Sequence, residues 1–414
     1  VPDWSAWPFD AEDPYPGYRA AREEAAVRWD QEVGAHLVLS HEHAATVLRG
    51  TGWSSDPRNS PRLLAALEEV DGLGPLGQPT LLTSDPPAHT RLRSAVNRFF
   101  TPRAVRGIQD RVAAIVGTAL APVLEGEPAE LMGELAYPIP LAVIAELFDL
   151  GLEGAEVLGA ETPVLARGLE LDPASGESAE VAAAALRVML FLVPIVARRK
   201  LYPGDDLLSA LIHPPDGGVT LADEEIITMC LLLLAAGHET TANLIGNGAI
   251  ALFERPGQLD WLARHPELSA GAVDELLRFD SPVQVASRIA TVDMDLGGVA
   301  VAKGEQALVV LGAANRDPAH HPDPDRLDLS REGVAHLAFG LGPHFCVGAG
   351  LARLEAQETF VRLARSPLRP EPGTWSIRRD RSHTFRRLRS LDIDGASMLR
   401  PISTPPSKSA QGRR

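Results

Sequence analysis

Cysteine is scarce: the 414 residues hold two, Cys230 and Cys346. Two thiols cannot build a disulfide framework, so a reducing compartment fits and a cytoplasmic protein is expected. Net positive charge is also lacking. Thirty-nine Lys and Arg face 55 Asp and Glu, a formal charge of −16, which argues against a nucleic-acid partner because polyanion binding needs clustered cations. No apolar run is expected to reach the ~20 residues that span a bilayer. Val1-Pro-Asp-Trp-Ser5 shows no basic region followed by an apolar stretch, so neither signal peptide nor membrane anchor is expected. Internal repeats are missing. So is a glycine-rich dinucleotide fingerprint, which leaves no place for a fused reductase.

What is present is core and helix. Hydrophobic residues make up 45% and charged residues 23%, as in a globular protein with a substantial core. Apolar residues three and four apart predict helices over 104–124, 180–199, 224–253 and 348–365. The segments 35–39, 281–287 and 307–311 read as strands. Proline- and glycine-rich stretches punctuate these elements without forming an interdomain linker. A mainly α protein with small β-sheets is expected, one large domain over 1–400. The Ser-, Pro- and base-rich tail 401–414 is expected to be disordered. Asp85-Pro86-Pro87 reads as a helix start with the acid as N-cap. His41-Glu42-His43 follows Ser40, so capping explains it better than metal binding. His320-His321 sits in a Pro/Asp-rich turn without further ligands at suitable spacing, so no second metal is expected.

The two cysteines occupy different settings. Cys230, within the apolar run 226–236, reads as a packed, inert residue. Cys346 lies in Phe339-Gly-Leu-Gly-Pro-His-Phe-Cys346-Val-Gly348, a loop running straight into a helix. Gly340 and Gly342 open backbone angles closed to other residues. Peptide N–H groups at the helix start point back at the sulfur and favour a thiolate. A lone thiolate cannot close a zinc or iron–sulfur site, but it can be the one axial ligand of a heme iron. A second anomaly is Gly237-His238-Glu239-Thr240-Thr241, which interrupts an apolar helix. Glycine there costs about 1 kcal/mol relative to alanine, and a buried Glu239 is expensive without a task or partner. A threonine hydroxyl can bond the carbonyl one turn back and open the groove to water. His238 is expected to pack or face solvent. Glu275 and Arg278, three apart, share a helix face.

On these motifs the chain resembles the cytochrome P-450 family, the heme-thiolate monooxygenases, and its soluble bacterial type. The resemblance runs from about Asp10 to Leu391, with the motifs in order. It implies a single large helical domain with small β-sheets, holding heme b (iron protoporphyrin IX). Cys346 would ligate the iron, with Phe339, Gly348 and Ala236 against the ring. His89, Arg93, Arg288 and His344 would receive the propionates. Thr240 would hold the proton donor in oxygen activation, and Glu239 would feed it from solvent. Glu275, Arg278 and Arg331 map to a structural triad, with Arg326 as the alternative third member. Leu82, Leu232, Ala235, Val283, Gln284, Ala286 and Phe385 map to the substrate pocket.

The implied activity inserts one atom of O2 into a small apolar organic substrate. Electrons would come from NAD(P)H through a separate reductase and a ferredoxin or flavodoxin, docking near Arg93 and Arg353. Arg387 and Asp392 depart from the glycine and proline common in the family, which touches the local pocket shape. A peroxide-driven peroxygenase is the first rival, and such proteins usually replace the acid–alcohol pair. The second is a non-catalytic heme binder, which needs no proton relay.

Overall fold

The computed structural model describes residues 7–69, 79–123, 129–170, 178–214, 217–371 and 373–393. The tail expected at 401–414 lies outside them. Helices form where the three-and-four spacing places them: Ser178–Leu201, Asp223–Phe253 and Ala349–Arg365. The run expected over 104–124 is instead two helices, Pro102–Gly107 and Gln109–Val123. Thr101 caps the first by accepting from Ala104 N–H, and Ile108 leaves helical geometry between them.

The 31-residue helix Asp223–Phe253 is the axis of the molecule. Asp223, Glu224 and Glu225 crowd its first turn, where carboxylates complement the exposed N–H groups. It is buried round nearly its whole circumference beyond that turn, as a helix apolar on all sides must be. It packs against helices Pro138–Leu147, Gly151–Arg167 and Ala349–Arg365. The segment Ala179–Leu201 is, against expectation, long and apolar enough to cross a bilayer by length and composition. In the fold it lies along Gly151–Arg167, burying Ala184, Val188 and Leu192, and Arg187 in its middle pairs with Glu161 at 2.5 Å.

A five-stranded sheet runs Val27–Asp30, Ala35–Val38, Gln306–Val310, Val285–Ala290, Trp53–Ser54. Its second and third strands pair in parallel and the others antiparallel. A smaller sheet joins Ala129–Glu130, Leu388–Ile393 and Trp375–Arg379. The strand expected over 281–287 begins only at Val285 and continues to Ala290, so Arg288 lies within it rather than after it. Ser281 turns its hydroxyl back to the Leu277 carbonyl at 2.8 Å and Pro282 follows, which delays pairing. The cap expected of Asp85 is also absent. Helix Ala88–Asn97 starts without a side-chain cap, because Pro87 stands at the cap position and its ring carries no acceptor. The Asp85 carboxylate accepts instead from Ser55 N–H at 2.9 Å and from the Ser54 hydroxyl.

The Glu275–Arg278 pair is fully buried, and Arg278 Nε and Nη2 donate to the two carboxylate oxygens at 2.7 and 2.8 Å. Arg331 supplies the third member at 3.3 Å. Arg326 is solvent-facing and pairs with Asp328. Arg278 also donates to the carbonyls of Asn315, Pro324 and Arg326, so one buried charge ties a helix to the chain leading toward Cys346. Glu275→Ala would strand two guanidinium groups and should lower stability by about 3–5 kcal/mol. Chemical denaturation checks this, and a loss near zero would show that the triad carries no structural weight.

Candidate active site

Between the long helix and the Cys346 loop lies a cavity of about 560 Å³, within the usual range for a small-molecule site. Phe339, Cys346 and Gly348 from the loop and Ala236 and Thr240 from the long helix line it. The loop is built as its glycines dictate. Gly340 and Gly342 take φ of 68° and 74°, and a Cβ at Gly342 would meet the Leu48 carbonyl oxygen at 2.6 Å. Cys346 N–H donates to the Phe339 carbonyl at 2.9 Å, folding the sulfur onto the cavity. The thiol is accessible from the cavity, yet protein encloses it on its other sides. Burial pushes its pKa up, while Gly348 N–H, Arg93, Arg353 and Ala349 N–H pull it down. Burial prevails, so the helix-start donors expected to make a thiolate do not do so alone. A bound metal ion deprotonates such a thiol outright. Cys230 is fully buried and pushed up to about 12, as expected of an inert thiol.

Arg93, Arg288 and His344 come together on the cavity wall. His89 leans on His344, ring centroids 4.1 Å apart. Arg93 donates to the Asn97 side-chain oxygen and Arg288 to the Ser287 carbonyl. Neither guanidinium forms an ion pair with a carboxylate among the described residues. Burial lowers Arg288 to about 10 against the nearby charge of Asp85. Burial, then Arg288, His89 and Arg93, bring His344 down to about 3. His89 Nε2 is buried without a partner. Two enclosed cations and an orphaned imidazole nitrogen are costly unless an anionic acceptor answers them. Carboxylates carried by a ring seated over Cys346 would do so, and these residues therefore fit a heme.

On the long helix the Thr240 hydroxyl bonds the Ala236 carbonyl one turn back at 2.6 Å. Glu239 does not reach solvent as expected. It is 1% exposed and accepts from Arg387 Nε at 2.9 Å and Asn243 Nδ2 at 3.0 Å. Arg387 bridges onward to Glu170 at 2.8 Å, and Glu170 lines the cavity. Burial opposes the charge on Arg387, but Glu239 and Glu170 more than offset it and raise its pKa. The sequence did not single out Arg387 and Glu170 beside Glu239; the single legible hint was that Arg387 departs from the glycine the resemblance leads one to expect. His238 packs as expected, bonded to Thr162 and the Tyr137 carbonyl, and burial lowers it to about 4.

Leu82, Leu232, Val283, Ala286 and Phe385 line the cavity. Ala235 and Gln284 do not. Ala235 is 3% exposed and packed within an apolar cluster. The Gln284 amide is spent on the Tyr15 hydroxyl and the Ser281 carbonyl. The docking role expected for Arg93 and Arg353 also changes. Arg93 faces the cavity, and Arg353 is held by Asp274 at 2.7 Å with its guanidinium over Phe339, so neither is a free surface charge.

Residues 264–366 match the family model described as Cytochrome P450. Cytochrome P450 107B1 of Saccharopolyspora erythraea is 38% identical over 88% of this chain and 90% of that protein. Vitamin D(3) 25-hydroxylase of Pseudonocardia autotrophica is 38% identical over 85% of this chain and 86% of its own length. The crystal structure of P450BioI in complex with a hexadec-9Z-enoic acid ligated acyl carrier protein superposes with a TM-score of 0.85 at 30% identity, covering 93% of this chain and 99% of that one. With its lone cavity thiol, its unanswered cations and this identity over nearly the whole length, the chain belongs to the cytochrome P450 family of heme monooxygenases.

Proposed function

We propose that this monooxygenase holds heme b and hydroxylates an extended apolar molecule with electrons passed from NAD(P)H by a separate ferredoxin or flavodoxin. The observation that carries the reading is that Cys346 and Thr240 line one largely apolar cavity. Cys346 would ligate the iron, and Arg93, Arg288, His344 and His89 would answer the propionates. Phe339, Gly348 and Ala236 would pack against the ring. The bound group supplies the binding and reductive cleavage of O2, which thiolate ligation favours. The chain's own residues supply the rest. Leu82, Leu232, Val283, Ala286 and Phe385 exclude water and orient the substrate. Thr240 positions the proton donor, and Glu239 passes protons to it, its carboxylate held by Arg387, which also holds Glu170 at the cavity wall.

The relatives' names point to the substrate class: vitamin D(3) for one and a hexadecenoyl chain for another. A single domain and a cytoplasmic setting belong to the same reading. The test is product formation from a panel of sterol-like and long-chain acyl compounds, preselected by substrate-induced change in the heme spectrum. NADPH with a ferredoxin and its reductase should support turnover. Product formed with hydrogen peroxide alone, and none with the redox partners, would favour a peroxygenase. Heme binding with neither activity would leave a non-catalytic binder.

A further inference from the structure

Two histidine groups that sequence spacing kept apart meet in space. His41, the first residue of helix His41–Leu48, lies with His320 and His321, and one ligand-capable atom from each falls within 4.8 Å of the others. The His41 ring stacks on His320 at 3.5 Å, and His321 stands edge-on to both. Asp317 ties the two segments together. Its carboxylate accepts from His41 N–H at 2.9 Å, and its backbone carbonyl accepts from His320 and His321 N–H at 3.1 and 2.8 Å. His41 Nε2 bonds the Ala335 carbonyl at 3.1 Å. That nitrogen must then carry the hydrogen, which leaves the lone pair on Nδ1. Metal-bound imidazoles are oriented in the same way. Independently, His321 is 4% exposed and its Nε2 is buried with no hydrogen-bond partner, an orphan that calls for an explanation.

We propose that His41, His320 and His321 form a second metal site, separate from the heme, that takes one divalent transition cation of the zinc type. Three imidazole nitrogens and no free carboxylate favour zinc, nickel or copper over magnesium or calcium, which prefer oxygen. His320 is exposed, so its ring can turn out of the stack on His41 to aim at the shared point, and the fourth position faces water. The surrounding charges are largely answered. Arg278 and Arg331 share Glu275, and Arg22 lies 3.9 Å from Asp317, which leaves the more distant Arg49 acting on His41. The cation would staple the start of helix His41–Leu48 to the turn at His320 and, through Ala335, to the chain that leads to the Cys346 loop.

The test is calorimetric titration of the heme-loaded, chelator-dialysed protein with zinc chloride, paired with thermal unfolding. One zinc per chain and a zinc-dependent rise in the unfolding midpoint are expected, since a ligand bound to the folded state stabilises it by mass action. His320→Ala and His41→Asn should each weaken binding about 10–100-fold or more and abolish the midpoint shift. Both should leave the CO-difference spectrum unchanged, which certifies an intact fold. His213→Ala, exposed elsewhere, should bind zinc as wild type does. The proposal is overturned if wild type takes up no stoichiometric zinc, or if His320→Ala and His41→Asn bind it as tightly as wild type.

Discussion

Reduced and CO-treated, the heme-loaded protein should give the red-shifted Soret band of thiolate ligation, and Cys346→His should lose both that band and product formation. The shift depends on electron donation from a sulfur anion, which a neutral imidazole does not supply. Cys346 is the one thiol that meets the cavity. Its pKa, raised by burial, keeps the free side chain protonated, so ligation must release a proton and heme uptake should slow as pH falls. Cys230, on the long helix, is fully enclosed in an apolar cluster. Cys230→Ala should therefore keep the band at full intensity. The opposite pattern, a normal spectrum in Cys346→His and a lost one in Cys230→Ala, would sink the assignment of the axial ligand.

Thr240→Ala should consume NADPH and O2 at near the normal rate while product falls on the order of 10²-fold, the low end of what a positioned proton donor contributes. The missing electrons should appear as hydrogen peroxide. The Thr240 hydroxyl is anchored to the Ala236 carbonyl at the cavity wall, so it can present a fixed acceptor to a water or to oxygen, and alanine leaves nothing there to hold the donor. Glu239→Gln acts one step further out. It removes the charge that Arg387 and Asn243 hold in place and should slow turnover with less diversion to peroxide. Measuring product, peroxide and NADPH together separates the two effects. If both variants match wild type in all three, neither residue belongs to the proton path.

Much of the site was legible because its signals are local. The Cys346 loop needs glycines at two positive φ angles and a helix immediately after, and all of that lies within ten residues of chain. The interrupted helix announced Thr240 through the misfit of polar residues in an apolar run. The readings that failed depended on direction. Ala235 and Ala236 are adjacent and chemically alike, yet only the second faces the cavity, since a helix turns about 100° per residue. Val283 and Ala286 reach the wall while Gln284 turns back to Tyr15. The strand there starts later than its composition suggests, so its alternation could not be phased. Asp85 reads as a cap until the helix is seen to begin only at Ala88, with the Asp85 carboxylate taken by Ser54 and Ser55.

By itself the sequence determined the fold class, singled out the Cys346 thiol and the Thr240 hydroxyl that line the cavity, and set Glu275 beside Arg278. Each rests on residue types at short spacing, where chain geometry leaves few alternatives. Only the tertiary structure decided which partner each buried charge finds. It chose Arg331 over Arg326 for Glu275, gave Glu239 to Arg387 across 148 residues of chain, held Arg353 on Asp274 and brought His41 to His320 and His321. The physical reason is common to all four. Charge and hydrogen-bond pairing depend on separations of a few ångströms, set by how helices and strands pack, and that packing is a property of the whole chain.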